Sequence, residues 1–259
     1  MLLIISPAKS LDFERPLPAA DCGLPRMLDR SEKLLPVLRK LKANGLKDLM
    51  GLSDQLAELN HQRFLNFELP YPEGAARPAA LCFDGDVYKG MDAGSLKKPG
   101  LGRLEKQLRI LSGFYGLLRP LDLILPYRLE MGTSLKVGKT NGLYQFWGSE
   151  ITELLNQDLE ESKSKVLINC ASNEYFKSVK KKELNAEIVT PQFKDLKNGQ
   201  YKMISFFAKR ARGMMVRYAI DHKIDRPEGL LSFDSAGYRY DQALSKPLAP
   251  VFTRDQVPR

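Results

Sequence analysis

Histidine is nearly absent from this chain, with only His61 and His222 among 259 residues. They lie far apart, and neither a C-x-x-C pair nor an H-E-x-x-H accompanies them, so nothing indicates a zinc site. A Ser-His-Asp or Cys-His device would need one of the two, and neither stands in a G-x-S-x-G elbow. His222 falls on the apolar side of a predicted helix and reads as a core or boundary residue. Cysteine is as scarce. Cys22, Cys82 and Cys170 are odd in number and widely spaced, which gives no disulfide framework. Long apolar runs are missing too. Met1-Leu2-Leu3-Ile4-Ile5 breaks at Ser6-Pro7, lacks a basic segment before it and is too short for a signal peptide. Nothing approaches the roughly 18 apolar residues of a membrane span. A cytoplasmic protein in a reducing compartment, with no membrane partner, is expected. No G-x-x-x-x-G-K-[ST] phosphate loop occurs, and no cofactor is expected. A carboxylate-lined iron or magnesium site would have only hard oxygen ligands to offer.

Acid is also short relative to base. Forty Lys and Arg against thirty-one Asp and Glu leave a net charge of +9. Such a field attracts nucleic acid, anionic lipid or acidic substrates, and it also serves plain solubility. The 43% hydrophobic and 27% charged shares are those of a globular protein. With no repeat, low-complexity tract or long linker, one domain over residues 1–259 is the expectation.

Along the chain, Leu2–Ile5, Ala79–Phe83 and Val166–Ala171 read as short buried strands. Leu11 to Pro25 is proline-rich and reads as an extended loop. Helical spacing runs from Pro25 to about Asn60, with Asn44-Gly45 breaking it into two. It recurs over Gly100–Ser112 (Leu101, Leu104, Leu108, Leu111), Trp147–Glu161 and Ala208–His222. Ile188–Phe193 and Tyr201–Phe207 are β-rich around an Asn198-Gly199 hairpin turn. Strand and helix segments alternate, so the fold class is mixed α/β.

Three stretches could carry chemistry. On the helix Ala208–His222, Ala211, Met214, Met215 and Tyr218 gather on one side, while Lys209, Arg210, Arg212 and Arg217 take the rest of the circumference. Those cations are either a solvated face or the rim of an anion site, and only Asp221 neutralises them locally. Leu49–Ala57 approaches the helix-hairpin-helix pattern, whose tight turn offers backbone N–H groups to a phosphate. Gly51, Leu52 and Ala57 fit, and Ser53 replaces the second glycine but can cap the next helix. The helix-hairpin-helix candidate spans about residues 34–63, and a plain αα-hairpin is the competing reading. In Arg109–Met131, arginines recur beside tyrosines, a combination that suits phosphate binding and base stacking. Internal pairing with Asp122 and Glu130 fits this stretch equally well.

Taken in order, these segments resemble the YaaA family of bacterial peroxide-stress resistance proteins. The carriers are Ser6–Asp12, Phe83–Tyr88, Leu111–Tyr115, Leu118–Met131, Leu143–Gly148, Ala171–Lys180 and Ala208–Gly213. The resemblance runs to about Tyr240. It implies a single-domain fold peculiar to the family: a mixed sheet flanked by helices, with a helix-hairpin-helix and a positively charged cleft. It also implies peroxide-stress resistance, limitation of free intracellular iron, and sequence-independent binding of double-stranded or branched DNA, with no obligate protein partner. The cleft residues carried over are Lys9, Asp12, Arg109, Arg119, Tyr127, Arg128, Lys177, Lys209 and Arg212, with Gly51 and Ser53 added from the hairpin. The alternative is an enzyme acting on a phosphorylated or nucleotide-like substrate in the same cleft, with Asp12, Asp86, Glu130 and Glu174 as candidate acid–base groups.

Overall fold

The apolar run after Met1 becomes the strand on which the rest of the molecule is organised. The computed structural model describes residues 1–255. Its larger sheet contains β1 (Leu2–Ile5), β2 (Leu108–Ser112), β3 (Gly116–Leu118), β4 (Val166–Asn169) and β5 (Glu187–Val189), in the order β5-β4-β1-β2-β3. Leu3 pairs with both Leu108 and Ile168, and every neighbour is parallel except the β2–β3 hairpin. All four residues of β1 are fully buried, as expected where both faces of a parallel sheet are covered. From β1 the chain first builds outward through β2 and β3, then crosses back to lay β4 on the other side. That reversal opens a crevice beyond the carboxyl ends of β1 and β4, where ligands of open α/β sheets bind.

A second sheet has the order β7-β6-β9-β8, with β6 (Gln192–Lys197), β7 (Gln200–Lys202), β8 (Arg239–Lys246) and β9 (Ala249–Arg254). The expected Asn-Gly turn joins β6 to β7, both residues at positive φ (53° and 72°) as a type I′ turn requires. Phe193, Phe233, Tyr238 and Phe252 pack edge-on and stacked behind it, continuous with the main core.

The longer helices are α1 (Lys42–Met50), α2 (Asp54–Leu65), α3 (Asp86–Met91), α4 (Lys98–Gln107), α5 (Glu150–Glu161) and α6 (Ser205–Asp221). α1 and α2 form an αα-hairpin closed by Gly51 in the left-handed region (φ 61°) and capped by Ser53, whose hydroxyl accepts the Leu56 N–H at 3.4 Å. None of the described helices is long and apolar enough to cross a membrane.

Five local readings are corrected. The helix expected over Gly100–Ser112 ends at Gln107, because Leu108–Ser112 is claimed by pairing with β1 and β3. Ala79–Cys82 is a buried helical turn rather than a strand; the Ala79 and Ala80 N–H groups donate to the Asp122 and Pro120 carbonyls instead of to a strand ladder. The break placed at Asn44-Gly45 lies at Lys42, which adopts a positive φ of 53°, and α1 runs through the Asn-Gly pair. The strand expected over Tyr201–Phe207 stops at Lys202, and Phe206 and Phe207 begin α6. His222 is exposed at the C-cap of α6, stacked on Tyr218 with ring centroids 4.0 Å apart. One residue beyond the last full turn, it has left the apolar stripe.

Candidate anion-binding site

The loops that leave β1 and β4 are stitched together at their first residues. Ser6 Oγ accepts the Ser172 N–H at 2.9 Å and donates to Ser172 Oγ at 3.2 Å. The Tyr88 hydroxyl, from α3, donates to the Ser6 carbonyl at 3.0 Å. Above this floor stands a cavity of about 470 Å3. One wall is Ser6–Ser10, the next is Asp84–Tyr88, the third is Cys170 with Ser172–Tyr175, and α6 closes it with Lys209 and Arg212.

The position of α6 follows from two glycines. A Cβ at Gly213 would lie 1.7 Å from the Val87 carbonyl oxygen, and one at Gly90 would lie 2.1 Å from the Arg210 carbonyl oxygen. The two helix backbones are therefore in direct contact, which only glycine permits, and this contact sets Lys209 and Arg212 over the crevice.

Charge is distributed unevenly around the cavity. Lys9 pairs with Glu130 at 3.0 Å, and Arg128 reaches the same carboxylate at 3.2 Å. Glu174 accepts the Gly132 N–H at 3.0 Å. Asp84 has only a loose partner, Lys89 at 3.8 Å. Among the described residues Lys209 and Arg212 form no ion pair and no side-chain hydrogen bond, although Arg212 is half-buried. The Cys170 thiol at the floor is pushed up to about 12 by burial, which the Arg212 charge offsets only in part. It stays protonated, as does the buried Cys82 thiol, likewise raised to about 12, so neither is a ready nucleophile or oxidant sensor. No group of three or more His, Cys, Asp or Glu among the described residues is arranged to hold a metal ion.

A family model described as "Peroxide stress protein YaaA" matches residues 1–244. The chain belongs to this family. A UPF0246 protein of Idiomarina loihiensis is 52% identical over 254 residues, covering 98% of each chain. One from Shewanella pealeana is 52% identical over 256 residues, covering 99% of this chain and all of its own length. A third, from Hahella chejuensis, is 49% identical over 255 residues.

Four of the seven motif runs that resemble the YaaA family meet at this cavity: Ser6–Asp12, Phe83–Tyr88, Ala171–Lys180 and Ala208–Gly213 each supply part of its wall. Of the residues singled out from sequence, Lys9, Lys209, Arg212, Asp86 and Glu174 line it, with Glu130 and Arg128 directly behind Lys9. Lys177 is exposed and lines a separate concavity with Lys180, Lys181 and Lys182, its ammonium 5.0 Å from the Tyr144 ring centre. Asp12 stands outside, where the Arg15 and Glu14 N–H groups hold its carboxyl below the usual range. Gly51 and Ser53 remain at the αα-hairpin turn.

Two expected cleft residues are interior instead. Arg109 is buried in a doubly bonded pair with Asp158 at 2.6 and 3.0 Å, because the carboxylate on α5 is its nearest counter-charge. Tyr127 is buried among Phe83, Phe114 and Tyr115, with its hydroxyl 2.6 Å from Ser112 Oγ. Arg119 faces a separate concavity with Met1, Arg109 and Asp158 at the amino-terminal edge of the sheet. Asp84, Ser6, Ser172 and Tyr88 line the site and were not singled out. They lie inside the quoted motif runs, which was the available signal.

Proposed function

We propose that this YaaA-family protein acts in peroxide stress by binding double-stranded or branched DNA through its phosphates, without reading sequence. The observation that carries the reading is the pair of uncompensated cations, Lys209 and Arg212, held with Lys9 around one concavity. Lys177 is a further exposed cation on the Ala171–Lys180 run, and Arg128, largely buried and paired with Glu130, acts on Arg63 of the αα-hairpin. There burial and the Arg128 charge hold the Arg63 guanidinium below its usual value. Cations left without carboxylate partners are the groups that gain most from a phosphate, because each contact releases condensed counterions. A protein that occupies the phosphate backbone displaces bound cations from it, and iron held there would be among them. This links DNA binding to a limit on free-iron injury. The hairpin contributes the weaker part: Asp54 puts a carboxylate into the first turn of α2, 2.6 Å from Lys47 Nζ, where a phosphate would otherwise sit.

The test is fluorescence anisotropy with two unrelated duplexes over a range of salt. Four phosphate contacts, at Lys9, Lys177, Lys209 and Arg212, give a slope of log affinity against log salt of about −3.6 and equal affinity for both duplexes. A flat salt response, or no binding at low salt, overturns the reading.

A further inference from the structure

A cleft that held only DNA backbone would need cations and would be weakened by carboxylates on its wall. Asp84 and Asp86 both face this cavity. Asp86 makes no ion pair or side-chain hydrogen bond among the described residues, and Asp84 has only Lys89 at 3.8 Å. Internal salt bridging therefore does not account for Asp86 and only loosely for Asp84, and phosphate binding alone works against both. The cavity presents two unpaired cations from α6 next to Asp86 at the start of α3 and Asp84 just before it, the latter with only its loose Lys89 partner. Its floor is fixed by the Ser6–Ser172 and Tyr88–Ser6 hydrogen bonds. Its volume of about 470 Å3 falls in the roughly 300–1,000 Å3 range of small-molecule sites. A ligand with an anionic group at one end and hydroxyl donors at the other satisfies both walls. We propose that this cavity binds a nucleoside monophosphate, with its phosphate on Lys209 and Arg212 and its sugar hydroxyls donating to Asp84 and Asp86. Acid-to-ribose and cation-to-phosphate pairing of this kind is how α/β sheets hold nucleotides at the same crevice. The inference is independent of duplex binding, since it concerns a ligand that enters the cavity rather than one that lies across it.

Isothermal titration of the full chain with AMP, adenosine and inorganic phosphate tests it. AMP is expected to bind saturably at one site, more tightly than adenosine or phosphate. Arg212→Gln and Lys209→Gln should each weaken AMP by about tenfold or more, the loss of one charge-assisted contact. Lys209 is exposed, so its variant keeps the fold intact if Arg212→Gln does not. Asp86→Asn should weaken AMP by a similar factor while leaving inorganic phosphate unchanged or tighter, which separates a nucleotide site from a generic anion site. With AMP bound, displacement by a 5′-phosphorylated but not an unphosphorylated oligonucleotide places the nucleotide at a strand end. Retention against both makes it a free nucleotide. No saturable AMP binding to millimolar concentration, adenosine binding as well as AMP, or an Asp86→Asn effect equal on AMP and phosphate overturns the proposal. Duplex anisotropy on the same preparations is a separate readout, so either reading can fail while the other stands.

Discussion

A buried carboxylate is tolerated only where its oxygens are fully met, and Asp158 meets that condition with two guanidiniums. Arg26 reaches it at 2.9 and 2.8 Å and Arg109 at 2.6 and 3.0 Å, with no exposed surface left on its side chain. Burial pushes its pKa up, but the two arginines outweigh this and hold it below the ordinary carboxylate value. Asp158→Asn should lose about 3–5 kcal/mol in a denaturant titration, since it removes the counter-charge of the buried Arg109 and of the partly exposed Arg26. Asp122 is the opposite case. Burial raises it to about 6, against the Arg119 N–H it accepts at 2.8 Å. A folded pKa above the unfolded one means the carboxylate is penalised on folding. The penalty is absent below the unfolded value near 3.8, grows as pH rises towards 6, and is complete above it. Asp122→Asn keeps the acceptor and removes the charge. It should flatten the fall of melting temperature over that window and stabilise the protein at neutral pH by on the order of 2–3 kcal/mol. Arg109 shows why site residues are hard to read at this scale: nothing beside it in the sequence indicates that its partner lies on α5, about fifty positions on, and only the fold brings the two together.

At the level of elements, the α3–α6 crossing is where the fold and the site meet. Gly213→Ala puts a methyl group 1.7 Å from the Val87 carbonyl oxygen, so the helices must part. About 1–3 kcal/mol of stability should be lost, and anion affinity should fall as Lys209 and Arg212 shift. Gly102 provides the contrast: it sits within α4, exposed, with open space where its Cβ would be. Gly102→Ala should stabilise the protein by about 0.5–1 kcal/mol with no effect on ligand binding. Thermal melts and anion titrations of the two variants check both claims. Elements were legible where a local signal decided them, as with the β1 run, the Asn198-Gly199 turn and the leucine face of α4. They were not legible where long-range pairing overrode a local pattern. Leu108 and Leu111 continue the α4 spacing, yet belong to a strand because β1 and β3 flank them. Phe206 and Phe207 favour strands by type, yet open the helix that carries Lys209 and Arg212.

Over the whole molecule, a net charge of +9 does not by itself say where the cations act. The topology divides them. At the carboxyl edge of the larger sheet stand Lys9, Lys209 and Arg212, around a cavity that also carries Asp84, Asp86 and Glu174 and in which only Lys9 of the three cations has an ion pair among the described residues. At the amino-terminal edge Arg119 shares a concavity with Arg109, Glu105, Asp158 and Asp225, and Arg109 is already held by Asp158. Which of the motif runs would meet was not legible in their order, because it depends on the chain reversing around β1. The central claim is that the carboxyl edge holds the phosphates. The most direct measurement is the salt slope of duplex DNA binding for the unmodified chain, the double variant Lys209→Gln/Arg212→Gln, and Arg119→Gln. The account predicts a slope shallower by about 1.8 for the double variant, and an unchanged slope for Arg119→Gln. An unchanged slope in the double variant, or a loss confined to Arg119→Gln, would contradict it.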